Sequence, residues 1–314
     1  MTTMLIRHRL LNLVQSALLL TLMAAIAWVS VTAVLGAQAG LLAALGMLLG
    51  LAFAPDLSRR MLMSAYRAQR LTAREAPGLV ATLAELARRA GLPRIPALYR
   101  VPSSLPNAFA MGSPEDSAIC VTDGLLGLLD GRELAGVLAH EVGHVANRDL
   151  WLMGLADVMS RLVSLASWIG QFLLILNLPL VLVGAVHVPW HIVLLLILAP
   201  TLMTLVQLGL SRTREYDADR AAAELTGDPE GLVRALRKLD RQLGRFWEEI
   251  LLPGRRMPDP SLLRTHPPTD SRIRRLRELA ARRTAPIPPL ADFPSDRFRA
   301  PKTAPRFRSF GLYW

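Results

Sequence analysis

Cysteine is almost absent: Cys120 is the only one in 314 residues. No intrachain disulfide can form and no CxxC metal knuckle exists, which fits a working side that faces a reducing compartment. Lysine is nearly as scarce. Lys238 and Lys302 stand alone, so arginine supplies 34 of the 36 basic side chains, against 25 acidic ones and a net charge of +11. That excess suits an anionic partner, either nucleic acid or a lipid surface. Charge itself is missing from four stretches: Leu10 to Leu35, Ala37 to Ala54, Leu162 to Val186 and Ile192 to Leu210. Each is close to the roughly 20 residues that a helix needs to cross a bilayer. With 52% hydrophobic residues and a mean hydropathy of +0.33, the chain is not a purely soluble globule.

Arginine placement orients the four expected spans. Arg7 and Arg9 precede the first run, Arg59, Arg60, Arg67 and Arg70 follow the second, Arg148 and Arg161 precede the third, and Arg212 and Arg214 follow the fourth. The tips near Gly36 and from His187 to His191 carry neither Lys nor Arg. By the positive-inside rule both termini and the stretch from Pro55 to Arg161 are expected to be cytoplasmic. Ala37-Gln38-Ala39 matches a signal-peptidase site, but the preceding apolar run is much longer than a signal peptide's roughly 7 to 15 residues, so an uncleaved anchor is expected.

The expected organisation is a membrane hairpin over 1–54, the first part of a soluble domain over 55–161, a second hairpin over 162–210, the second part of that domain over 211–283, and a tail over 284–314. In the first soluble part, Pro77 opens and Gly91 closes an amphipathic helix with Leu79, Leu83, Leu86 and Ala90 on one face. Strands are expected at Ile95 to Val101, Asn107 to Met111 and Ser117 to Thr122. A longer helix starts near Asp130, with Glu133 completing a capping box, and runs at least to Asn147. Past the fourth run a helix is expected to continue from Ser211 to about Leu225, ended by Gly227, Asp228 and Pro229, with others over Gly231 to Trp247 and Thr269 to Arg283. From Thr284 the chain is rich in proline and arginine, with Phe298, Phe307 and Phe310 among them. Composition reads this as a disordered solvated tail, and no nucleic-acid partner is expected.

On the helix starting at Asp130 sits His140-Glu141-Val142-Gly143-His144. With 6 His and 11 Glu in the chain, chance supplies about 0.004 such HExxH patterns. Residues four apart share a helix face, so both imidazoles can hold one Zn²⁺ while Glu141 projects beside the metal as a base for water. Leu134, Val137, Leu138 and Val145 supply an apolar back face. A catalytic zinc usually has three protein ligands and an open position. Asn147 and Leu150 stand where the metzincin pattern needs Gly and His, so the third ligand comes from elsewhere. Glu215 and Asp219, four apart just past the fourth run, are the candidates: one carboxylate to bind zinc, the other to accept a ligand imidazole's free N–H. The residues leave the choice between them open. His187 and His191 repeat the spacing but are separated by the helix-breaking Pro189, and Asp157 with Arg161 reads as a helix salt pair.

HEVGHVANRD at 140 to 149, SRTREYDAD at 211 to 219, LPNAFAMG at 105 to 112 and HPPTDSRI at 266 to 273 resemble the HtpX family of bacterial membrane metalloproteases, of gluzincin type. The resemblance runs from the first span to about Ala280. It implies a mainly α membrane protein: four transmembrane helices and a cytoplasmic α+β, zincin-like protease domain with an HExxH helix and a small edge-strand sheet. It further implies His140, His144 and Glu215 as ligands of one Zn²⁺ per chain, Glu141 as catalytic base and Asp219 as orienter of a ligand histidine. Asn107, at the head of the edge strand, is a candidate for aligning an extended substrate, the alternative being an ordinary strand after the Pro106 turn; His266 reads either as an oxyanion stabiliser or as a loop histidine fixed by Pro267 and Pro268. The implied activity is peptide-bond hydrolysis in misfolded or damaged membrane proteins. The alternatives are a non-catalytic zinc-binding membrane adaptor, against which Glu141 argues, and a CAAX-type prenyl-peptide protease, against which four spans rather than seven argue.

Overall fold

The computed structural model describes residues 14–38, 40–41, 63, 66–185, 189–250, 269–281, 306–308 and 311–313. Two compact units divide the chain: Met1–Ala54 with Trp151–Thr213, and Pro55–Leu150 with Arg214–Trp314.

In the first unit, α1 (Val14–Gln38) accompanies most of α5 (Asp149–Leu182) and the first part of α6 (Trp190–Thr226). All three are long and apolar enough to cross a membrane. The second of the four charge-free runs lies, but for its first residues, outside the described residues. Met23, Ala27, Ala156, Met159, Val163, Ala199 and Met203 form the buried seam. Small side chains there let helices approach, and polar ones bond across: Ser160 Oγ lies 2.5 Å from Gln207 Oε1, and Ser167 Oγ donates to the Leu196 carbonyl at 2.6 Å. The outward face is the apolar one, with Trp168 77% and Leu182 78% exposed, the inverse of a soluble helix. Arg161 donates to Asp157 at 2.8 Å, the expected pair four residues apart.

The second unit is built on a sheet in the order β1-β2-β4-β3. β1 (Gln69–Arg70) is antiparallel to β2 (Ala97–Val101), which runs parallel to β4 (Asp116–Thr122). β3 (Ala108–Ser113) forms the far edge, antiparallel to β4 with Phe109 opposite Cys120 and Ala110 opposite Ile119. β4 carries the unbroken buried run Ser117 to Thr122 that a central strand requires. The β3–β4 turn needs Gly112: its φ is +90°, and a Cβ there would meet the Asp116 carbonyl oxygen at 2.1 Å.

Around the sheet lie α2 (Pro77–Arg89), α3 (Asp123–Leu128), α4 (Gly131–Ala146), α7 (Pro229–Ile250) and α8 (Thr269–Ala281). One core holds Leu79, Leu83 and Leu86 of α2, Leu134, Leu138 and Val142 of α4, Leu232 of α7 and Leu276 of α8. The capping box at the head of α4 is complete: the Glu133 N–H donates to Asp130 Oδ1 and the Asp130 N–H to Glu133 Oε2, each at 2.9 Å. Lys238 of α7 adds a bond to the buried Glu133 carboxylate at 2.5 Å. Tail residues Arg306–Arg308 and Gly311–Tyr313 pair as a two-stranded antiparallel ribbon, β5 and β6.

Element bounds depart from expectation mainly at the long helices. The helix from the fourth run continues through Ser211 to Thr226 as expected, whereas α5 begins at Asp149, well before its charge-free run. Good helix formers flank both apolar runs, and α6 meets no stop until Gly227, with φ +71°, and Pro229.

Candidate metal centre

The buried helix α4 presents His140 and His144 one turn apart, with ring centroids 4.7 Å apart and ring planes at 89°. Their Nε2 atoms face each other at 3.1 Å. Glu215 of α6 reaches both: Oε2 is 3.4 Å from His140 Nε2, and Oε1 is 3.5 Å from His144 Nε2. Gly143 permits this approach, since a Cβ there would lie 3.0 Å from Ala221 Cβ and 3.3 Å from Ala218 Cα. One donor atom from each of His140, His144 and Glu215 falls within 4.8 Å of the other two. Glu141 is buried on the same helix.

The other nitrogen of each ring is committed to an aspartate. His144 Nδ1 lies 2.9 Å from Asp149 Oδ2, and His140 Nδ1 lies 3.1 Å from Asp219 Oδ1. Each aspartate is in turn backed by an arginine. Arg214 Nη1 is 3.5 Å from Asp149 Oδ1, while Arg272 grips Asp219 through Nε to Oδ2 at 2.8 Å and Nη2 to Oδ1 at 2.6 Å. An aspartate at Nδ1 assigns the proton of a neutral imidazole to that nitrogen, leaving the Nε2 lone pair directed inward.

Two inward lone pairs and a carboxylate repel one another unless a cation sits among them. The ionisation tendencies record the same field. Burial opposes a charged ring at His140, but its contacts with Asp219 and Glu215 outweigh that and raise its pKa. At His144 burial is likewise overcome by Asp149 and Glu215, and its pKa lies well above the ordinary histidine value. Burial would push the Asp219 carboxyl up, yet Arg272 and then His140 hold it down to about 2. The donor set, two imidazole nitrogens and one carboxylate with both rings braced from behind, fits a borderline divalent metal, with protons as its competitor.

Of the other expected site residues, Asn107 lies immediately before β3, its N–H donating to Thr122 Oγ1 at 2.8 Å and its carbonyl accepting from the Thr122 N–H at 3.0 Å. His266 and His187 lie outside the described residues. Asp149 and Arg272 were not singled out from the sequence, although HEVGHVANRD ends on the first and HPPTDSRI contains the second.

A buried HExxH helix, a glutamate from a later helix and membrane-length helices in one chain define the class of membrane-embedded metalloproteases. The chain belongs to peptidase family M48, whose family model matches residues 73–280, and to its HtpX members. It is 37% identical to a protease HtpX homolog of Persephonella marina over 274 residues, covering 79% of this chain and 91% of that protein. A protease HtpX homolog of Acaryochloris marina is also 37% identical, over 294 residues, with 86% and 95% covered. Another, of Kineococcus radiotolerans, is 39% identical over 244 residues. Among solved structures, the crystal structure of S. mikatae Ste24p is similar over 86% of this chain and 66% of that one, at 20% identity and a TM-score of 0.47.

Proposed function

We propose that this metalloprotease is a zinc endopeptidase of the bacterial inner membrane that cuts unfolded or damaged segments of membrane proteins on the cytoplasmic side. The observation that carries the reading is the convergence of His140, His144 and Glu215 on one point, with Glu141 beside the first histidine. Zinc suits two nitrogens and one oxygen with a position left open. When bound, it supplies Lewis acidity to a water and to the scissile carbonyl. Glu141 takes the proton of the attacking water and delivers it to the leaving amine. Asp149 and Asp219 keep the ligand rings in the required tautomer and orientation. Glu141 argues against a purely structural metal site, which needs no base.

The edge position of β3 supports an extended substrate. Among the described residues no strand pairs with its outer side, whose main-chain groups could take up an extended, unfolded segment but not a folded domain. A polypeptide presented both natively folded and denatured by reduction is therefore expected to be cut only in the denatured form, as read by gel electrophoresis over time. Equal cleavage of both forms overturns the edge-strand reading.

Four spans and a cytoplasmic protease unit rest on the four charge-free runs and on the arginine asymmetry between their ends. Labelling tests the orientation against a quiet background, because burial, then Glu141, pushes the Cys120 thiol up to about 12. A cysteine at Ala185, beside the uncharged tip, is expected to react with a membrane-impermeant thiol reagent added from the periplasm. One at Ala81, exposed on α2, reacts only after lysis. The reverse pattern overturns the orientation.

A further inference from the structure

Arg272 is 5% exposed and lies behind the ligands of the proposed metal centre. A guanidinium is costly to bury and stays protonated, so it is neither a metal ligand nor a proton donor in the reaction. The guanidinium is turned toward two carboxylates. Nε and Nη2 form a two-pronged grip on Asp219, and Nη1 lies 3.2 Å from Glu215 Oε2. Nη2 also comes within 3.5 Å of His140 Nδ1, where both it and the ring share the acceptor Asp219 Oδ1.

Glu215 and Asp219 are four residues apart on α6 and both almost fully buried, so two negative charges share one buried helix face. Uncompensated, they would push apart, and each has a defined place to keep: one oxygen of Asp219 at His140 Nδ1, and the Glu215 carboxylate between the two Nε2 atoms. We propose that Arg272 is a positioning residue for the metal centre, its planar fork fixing Asp219 behind His140 and Glu215 among the ligands at once. One guanidinium from α8 thus sets two of the three ligand side chains, His140 through Asp219 and Glu215 directly. The geometry of the fork matters as well as the charge, because a lysine ammonium is a point charge that cannot span both carboxylate oxygens in one plane.

The inference rests on the metal reading above, and its test separates the two. Zinc affinity of the full chain in detergent is measured by competition with a chromophoric chelator for wild type, Arg272→Lys and Arg272→Met, alongside thermal melts of each metal-stripped protein followed by circular dichroism. Loss of a partner behind a metal ligand typically costs about 10- to 100-fold in affinity. Arg272→Lys, which keeps the charge and loses the fork, is expected near tenfold weaker, and Arg272→Met, which keeps the bulk and loses both, near a hundredfold weaker. A role in packing alone would be served by methionine as well as by lysine, so equal affinities of the two variants overturn the proposal, as does wild-type affinity in either. If Arg272→Met gives no cooperative melt, Arg272→Lys decides: about tenfold weaker supports the proposal, unchanged affinity overturns it. Wild type that takes up no zinc refutes the metal reading itself, and this inference with it.

Discussion

Glu215→Ala is expected to come through dialysis without zinc and without proteolytic activity, while Asp219→Asn keeps measurable metal and residual cleavage. The difference follows from what each carboxylate touches. Glu215 stands between the two inward nitrogens, 3.4 Å from one and 3.5 Å from the other, so its loss removes one of the three proposed ligands. Of the two rings Asp219 reaches only His140, at its outward nitrogen, and its loss frees that ring's orientation without removing a donor atom. Removing such an outer partner costs about 10- to 100-fold in affinity or activity, and removing a ligand costs more. Asparagine is the better replacement at 219, because it retains an oxygen that can accept from His140 and from Arg272. Zinc per chain in the two purified variants, side by side at neutral pH, checks this. A metal-free Asp219→Asn beside a zinc-replete Glu215→Ala would show the ligand assignment to be wrong.

The HExxH helix was legible because everything about it is local. The capping box at Asp130 and Glu133 marks its start, the apolar positions mark its buried face, and the four-residue spacing puts both imidazoles on one side. The choice between Glu215 and Asp219 was not legible, because residues four apart on a helix share a face; only the packing of α6 against Gly143 decides which oxygen meets the Nε2 atoms. Asp149 escaped for another reason. Arg148 takes a left-handed conformation with φ +57° between α4 and α5, and this turn brings a carboxylate back to His144 at a five-residue offset outside helix periodicity. Arg272 meets His140 across 132 residues of sequence, a contact that no local pattern encodes. Charge-free runs located α1, α5 and α6 but understated the last two, because hydropathy marks where a bilayer could lie and helix propensity marks where a helix ends. The edge strand was found one residue early: Asn107 already pairs with Thr122, yet the regular ladder starts at Ala108.

Glu141→Gln carries the other large effect. The side chain lies next to a proposed ligand in sequence, is buried on the metal helix, and is not one of the three groups whose donor atoms converge. Glutamine preserves its size and hydrogen-bonding reach but cannot accept a proton at neutral pH. A positioned general base contributes roughly 10²- to 10⁴-fold to rate, and in the proposed mechanism the same group also serves the leaving amine, so the loss is expected at the upper end of that range or beyond it. The ligand set is untouched, and zinc content is expected to stay at one per chain. The central claim, a metal-dependent peptidase whose base is Glu141, is tested most directly by measuring zinc per chain and the rate of cleavage of an unfolded protein in the same detergent preparations of wild type and Glu141→Gln. The account predicts equal zinc in both and cleavage by wild type alone. Cleavage by Glu141→Gln at the wild-type rate would contradict it.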